Sequence, residues 1–487
     1  MRLYHSTRDE SRKVTANEAI LQGLAPDGGL YVPESFPRLA LGALLPLSAH
    51  ELFARVLSAL LDDYSYEEML EIVRAGYEGR FAAKDVTPLV EAGDLRMLEL
   101  FHGPTSAFKD VALSLLPHFI TRAAKRQNVT DEIRVLTATS GDTGKAALAG
   151  FADVPGTSIA VFYPLGGVSQ VQRLQMVTQA GANVRVCAVR GNFDDAQTGV
   201  KRIFADAELT ARLSARGVRL SSANSINLGR LAPQIAYYFK AYLDLVRAGE
   251  IAVGEKINFT VPTGNFGDIL AGDYARRMGL PVGRLICASN RNNVLADFIR
   301  TGVYDRRRTF HKTASPSMDI LVSSNLERCL YHMGGDAGLV RAMMGDLSEK
   351  GFFEAPASLM ENMRAVFSAG WADDAAAFAA IRTLYGETGY LMDTHTAVGR
   401  RVGSDYVRET GDRRPMVALA TASPFKFAED VLKAVTGEAR TGFAALDRLS
   451  AACGLAVPAP LAALRNLTEI HADVVGASEM ARYVEEA

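Results

Sequence analysis

Glu99-Leu-Phe-His-Gly-Pro-Thr-Ser-Ala-Phe-Lys109-Asp-Val-Ala-Leu113 sets one lysine among small and apolar neighbours. Upstream of it, Arg96 to Phe101 reads as a short strand. Downstream, Leu113, Leu116, Phe119 and Ile120 recur at helical spacing, which predicts a helix from Val111 to Gln127. A lysine at a strand–helix junction is ordinarily a solvated surface group. Here Ala107-Phe108 and Val111-Ala112 exclude water, and desolvation disfavours the charged amine. A neutral amine is a nucleophile that forms Schiff bases with aldehydes.

At 487 residues the chain exceeds one simple core, so two or three domains are expected. A hydrophobic content of 48% and a charged content of 22% are those of an ordinary globular protein. The net charge of −2 gives no electrostatic basis for binding nucleic acid or an anionic membrane. No run approaches the roughly 18 apolar residues of a membrane span. Cys187, Cys287, Cys329 and Cys453 lie far apart with no Cys-x-x-Cys pair. That spacing points to a reducing compartment and to neither a metal site nor a disulfide framework. The first ten residues lack the apolar core of a signal peptide, so a cytoplasmic location is expected.

Residues 1–95 read as a mainly helical first domain. Asn17 to Gly23 is a helix stopped by glycine, and Ala25 to Pro33 a turn into a short strand. Amphipathic patterns follow near Ser48–Leu61 and Ser65–Tyr77, with Ser65 and Glu68 spaced as a capping box. Residues 96–487 read as one catalytic region. Strands at Ile133–Thr139, Ser158–Tyr163, Asn183–Val189 and Arg219–Ser222 alternate with helices near Thr143–Ala152, Ser169–Gln179 and Asp194–Ser214. A second series runs through Lys256–Val261, a helix from Gly267, and Leu285–Ser289. Such alternation predicts an α/β fold of two lobes, each a mostly parallel sheet covered by helices. The smaller lobe spans roughly 130–235, and the larger roughly 236–487 plus the Lys109 segment. Residues 331–390 read as structural, with Trp371 in the core or at a helix end. Met416–Ala422 is a last buried strand, and Phe425–Val435 a helix stopped near Gly437. The tail reads as helical. Ligands of such sheets sit beyond the carboxyl ends of the strands.

Four stretches follow predicted strands and carry donors. Thr263-Gly-Asn-Phe-Gly267-Asp opens a helix, where glycines admit close approach and N-terminal amides bind anions. Thr137-Ala-Thr-Ser-Gly-Asp-Thr-Gly144 offers hydroxyls and amides to a carboxylate. Ser221-Ser-Ala-Asn-Ser-Ile-Asn-Leu-Gly-Arg230 ends in an arginine, whose guanidinium matches phosphate. Its plain alternative is capping of a helix from Leu228. Ala420-Thr-Ala-Ser-Pro-Phe-Lys-Phe427 offers hydroxyls and no carboxylate.

Glu99, Thr105 and Ala107 to Leu113 resemble the attachment signature of the serine/threonine dehydratase superfamily, pyridoxal phosphate enzymes of fold type II. The run from His102 to Asp110 is similar to the long-chain threonine synthases in particular. So are Tyr4–Arg8, Glu18–Pro33, Thr313–Ile320 and Asp393–Gly399, the last two without an assigned role.

The resemblance implies pyridoxal 5′-phosphate on Lys109. Its phosphate would lie on Gly264, Asn265, Phe266 and Gly267, and its ring nitrogen would face Thr421 or Ser423. Thr139, Ser140, Gly141, Asp142 and Thr143 would hold the substrate carboxylate. Many relatives have Asn where Asp142 stands. Asn224, Ser225, Asn227 and Arg230 would hold the substrate phosphate, with Lys145 a further cation nearby. The implied reaction converts O-phospho-L-homoserine and water to L-threonine and phosphate, with Lys109 carrying protons. The alternatives are a threonine synthase-like phospholyase or serine/threonine dehydratase that releases a keto acid and ammonia, or a non-catalytic ligand-binding or scaffold protein that kept the fold. The expected partner is a small molecule, with the chain a monomer or homodimer. His395 is left without a role.

Overall fold

The computed structural model describes residues 1–139 and 141–486. Its amino-terminal part packs helices Ala16–Gln22, Ala49–Leu60 and Tyr66–Tyr77 beside a small antiparallel sheet of Tyr4–Ser6, Lys13–Val14 and Tyr31–Pro33. Thr15 and Glu18 form a full capping box on the first helix, and the Ser65 hydroxyl accepts from the Glu18-like position, Glu68, on the third.

The larger sheet runs in the order Phe367–Trp371, Val282–Ser289, Ile257–Pro262, Met416–Ala420, Leu95–Glu99, Leu89–Ala92. All neighbours are parallel except the last pair. The smaller sheet runs Asp473–Gly476, Val184–Arg190, Thr157–Pro164, Glu132–Ala138, Val218–Ser222, parallel throughout. Ile257–Pro262 and Met416–Ala420 are buried at every residue, as strands covered on both faces must be. Helix Leu228–Arg247 is buried nearly all round and belongs to the largest core.

Several expectations change. The helix predicted from Val111 to Gln127 is two, Lys109–Leu113 and Leu116–Arg126, because Pro117 lacks the N–H an interior position needs and suits a first turn. Asp194–Ser214 is likewise two helices, Phe193–Ala205 and Ala207–Ala215, with the Asp206 side chain capping the second. The tail does not stay with the larger lobe. Asp473–Gly476 adds an edge strand to the smaller sheet, and Met480 and Val484 fill that lobe's core. Leu89–Ala92, before residue 95, pairs within the larger sheet. Trp371 ends an edge strand and is half-exposed, because an edge has no neighbour to cover it.

The topology gathers the loops. Those after Glu132–Ala138, Val218–Ser222, Ile257–Pro262 and Met416–Ala420, and the lysine segment after Leu95–Glu99, all leave carboxyl ends of parallel strands.

Candidate active site

Lys109 begins a short helix, and the loop that follows strand Met416–Ala420 clamps the segment before it. The Phe108 N–H donates to Thr421 O at 2.8 Å, and the Ser423 N–H to Ser106 O at 3.0 Å. An isolated bridge joins Ala107 to Ala422. Lysine and hydroxyl-bearing loop are therefore one rigid unit, with Thr421 and Ser423 buried beside the lysine segment. The Lys109 side chain is 11% exposed. Burial lowers its pKa first of all; Lys426 and Arg230 push the same way, and Asp142 opposes them.

Asp142 is the hub of this cluster. Its Oδ2 lies 3.6 Å from Lys109 Nζ and accepts from Ser317 Oγ at 2.9 Å. Its Oδ1 accepts from Gln172 Nε2 at 3.0 Å and lies 3.4 Å from Lys426 Nζ. Burial alone would raise this carboxyl, but Lys426, Lys109, His395 and Ser317 outweigh it and hold it below the usual carboxylate range. Lys109 Nζ donates to Ser317 Oγ at 3.1 Å. Behind Ser317, its N–H donates to His395 Nε2 at 3.1 Å, and His395 Nδ1 donates to Asp393 Oδ2 at 2.6 Å. These two bonds fix the histidine tautomer.

The sequence assigns no role to Ser317, His395 or Asp393, although the runs that hold them resemble the family. It assigns none to Lys426 either, beside Thr421 and Ser423. It is flanked by Phe425 and Phe427, the same desolvating signal that marks Lys109.

The loop Gly264–Gly267 has the build of an anion cradle. Ser323 Oγ donates to Gly264 O at 2.8 Å, and the Asn325 N–H to Asn265 O at 3.0 Å. Because a trans peptide is planar, the amides of Asn265 and Phe266 face the opposite way. They join the amino end of helix Gly267–Arg277. Phe266 holds φ 61°, a costly value for a side chain of its size. A Cβ on Gly264 would stand 2.7 Å from Ser317 O, so the loop and the Ser317 segment touch backbone to backbone. Amide cradle, desolvated lysine and buried hydroxyls together fit pyridoxal phosphate.

At the smaller lobe, the Thr139 hydroxyl accepts from the N–H groups of Gly141 and Gly144 at 3.0 and 2.9 Å, so it caps helix Asp142–Phe151. The Asp142 carboxylate is engaged by Ser317, Gln172, Lys109 and Lys426. Of the first-turn amides, that of Gly144 is taken by Thr139, which leaves those of Asp142 and Thr143 for an anion. Ser140 lies outside the described residues. Lys145 is buried and pushed down to about 8, by burial and then by Lys426.

The run to Arg230 divides in two. Asn227 accepts from the Gly229 N–H at 2.8 Å and donates to Ile20 O at 2.9 Å, so it caps helix Leu228–Arg247 and ties down the first domain. Asn224 is exposed, and Ser225 reaches Ser324 at 3.5 Å. Arg230 is 3% exposed. Its Nη1 donates to Ala223 O at 2.5 Å, its Nε has no hydrogen-bond partner, and no carboxylate pairs with it among the described residues.

The sequence matches family models for "Threonine synthase N terminus" over residues 3–77, "Pyridoxal-phosphate dependent enzyme" over 83–366 and "Threonine synthase, C-terminal" over 396–478. Threonine synthase-like 1 of Homo sapiens is 40% identical over 446 residues, covering 88% of this chain and 59% of that one. The chain thus spans about six-tenths of that relative's length. Threonine synthase of Pseudomonas aeruginosa is 40% identical over 445 residues, covering 90% of this chain and 91% of that one. The structure of pyridoxal-phosphate-bound threonine synthase from Brucella melitensis superposes with a TM-score of 0.88 at 38% identity, over 100% and 99% of the two chains. That of yeast threonine synthase gives 0.89 at 32%, over 99% and 98%. With sequence and fold agreeing from end to end, the chain belongs to the threonine synthase family of pyridoxal-phosphate-dependent enzymes.

Proposed function

We propose that the chain is a threonine synthase that converts O-phospho-L-homoserine and water to L-threonine and phosphate. The observation that carries this reading is Arg230. A guanidinium taken out of water without an anion is costly, so a buried, unpaired arginine needs a ligand to complete it. Serine and threonine have no second anion to offer. Phosphohomoserine does, on Cγ, at a distance from its carboxylate.

Bound pyridoxal phosphate supplies an electron sink that makes protons next to the substrate's amine-bearing carbon removable. Gly264–Gly267 would hold its phosphate, Lys109 its aldehyde carbon, and the hydroxyl of Thr421 or Ser423 its ring nitrogen. Thr143 and the amino end of helix Asp142–Phe151 bind the substrate carboxylate. Arg230 and Ser225 bind the phosphate and stabilise it as it departs. The Lys109 amine, desolvated and held by Ser317, moves protons at the reacting carbons. Net, phosphate leaves Cγ, a proton is taken from Cβ and one is delivered to Cγ, and Cβ gains the hydroxyl of water. The four cysteines are free and scattered, which favours a cytoplasmic setting.

The test is Arg230→Ala. A charge-assisted arginine–phosphate bond is worth about 1.5–3 kcal/mol, so kcat/KM for phosphohomoserine should fall by roughly ten- to a hundredfold or more. Cofactor absorbance should stay unchanged. Intact kinetics would mean that this run is only a helix cap.

A further inference from the structure

A carboxylate beside the cofactor-bearing lysine is a chemical problem. It favours the ammonium form of Lys109, whereas the lysine must lose its proton both to take up the cofactor and to act as a base. The described residues place a second cation on the same carboxylate. Lys426 Nζ lies 3.4 Å from Asp142 Oδ1, its side chain has no exposed surface, and it is anchored by Thr105 O at 2.7 Å and Gln175 Oε1 at 3.2 Å. Asp142 thus has a cation on each oxygen, one on the lysine whose charge must change and one locked in place. The locked one leaves Asp142 ionised, and able to accept from Ser317 at 2.9 Å, whichever state Lys109 is in. It also adds a like charge near Lys109. The other charged groups around the pair are Arg230, Lys145 and Asp110, and the imidazole of His395, which accepts from the Ser317 N–H, stands behind them.

We propose that Lys426 is a positioning residue, the resident counter-ion of Asp142, which frees the Lys109 amine to give up its proton. This rests on Lys109 being the attachment residue. Lys426 and Asp142 then act as one neutral unit where a lone aspartate would trap Lys109 in the charged form.

The test uses the full-length protein stripped of cofactor. Pyridoxal phosphate is added back, and the rate of covalent uptake is followed by visible absorbance between about pH 6 and 10, without substrate. Below its midpoint this rate tracks the neutral fraction of the Lys109 amine, tenfold per pH unit. Lys426→Met should move the midpoint upward by about one unit, making uptake about tenfold slower at neutral pH. Lys426→Met/Asp142→Asn should return it to the native position or below. Asp142→Asn alone should lower it. A reversal by the second substitution is not expected of packing damage. If Lys426→Met fails to fold, the double variant and Asp142→Asn carry the test through the same midpoints. A midpoint unmoved in folded Lys426→Met, or an Asp142→Asn midpoint at or above the native one, overturns the proposal. Uptake retained by a Lys109→Ala control overturns both this proposal and the assignment of Lys109.

Discussion

Lys109 Nζ donates to the hydroxyl of Ser317 at 3.1 Å, across 208 positions of sequence. The bond joins the lysine after one strand of the larger sheet to the loop beside the Gly264–Gly267 anion cradle. Ser317 O is also the atom that a side chain on Gly264 would strike. Amine and anion cradle are therefore set at a fixed distance by one serine.

Three buried or largely buried lysines crowd this region, Lys109, Lys145 and Lys426, and the proposed function needs the cofactor on the first. Borohydride reduction of the loaded protein and peptide mapping should mark Lys109 alone. Lys109→Ala should fold and lose about a thousandfold or more of its turnover, the scale of a positioned acid–base group. A mark on Lys145 or Lys426 would contradict the assignment.

Gly264 and Gly267 should respond differently to alanine. At Gly264 the new methyl meets backbone oxygen at 2.7 Å, which cannot yield without moving the Ser317 segment. At Gly267 it meets the Asn325 side-chain amide at 3.3 Å, which can give. Overpacking of the first kind costs about 1–3 kcal/mol, so Gly264→Ala should weaken cofactor binding by roughly five- to 150-fold, and Gly267→Ala far less. Equal losses in a cofactor titration would show that the cradle is not held against Ser317.

Asp268, one residue past the cradle, is buried against the hydroxyls of Tyr237 and Tyr238, with one oxygen unbonded and no cation paired with it among the described residues. Burial raises its carboxyl from 3.8 to about 7. The native chain therefore keeps a proton that the unfolded chain releases. This group's contribution favours the fold at low pH, declines from about pH 4 to about pH 7, and is level above that. At about 1.4 kcal/mol per unit the window amounts to something on the order of 4 kcal/mol. Asp268→Asn should gain stability over the native protein progressively from pH 5 to 7 in thermal melts. Parallel curves for the two proteins would contradict the buried, neutral carboxyl.

How far the sequence could be read follows from distance along the chain. The strand–helix alternation, the strand-end loops and Lys109 are local patterns, and each was legible in a window of a few residues. The role of Asp142 was not, because its partners come from Gln172, Ser317 and Lys426, and no spacing relates them. The split of Val111–Gln127 was legible in principle through Pro117, which outweighs the apolar periodicity there. Asn227 shows the opposite case. Its residue type suits both a substrate ligand and a helix cap, and only the contact with Ile20 decides between them. Asp473–Gly476 was too short and too exposed to register as a strand until the edge of the smaller sheet supplied its partner.

The central claim is tested most directly by the products formed from O-phospho-L-homoserine. The purified full-length chain, loaded with pyridoxal phosphate, should release L-threonine and inorganic phosphate in equal amounts, with homoserine a very poor substrate. Release of 2-oxobutyrate and ammonia in place of threonine would contradict a synthase and make the chain a phospholyase.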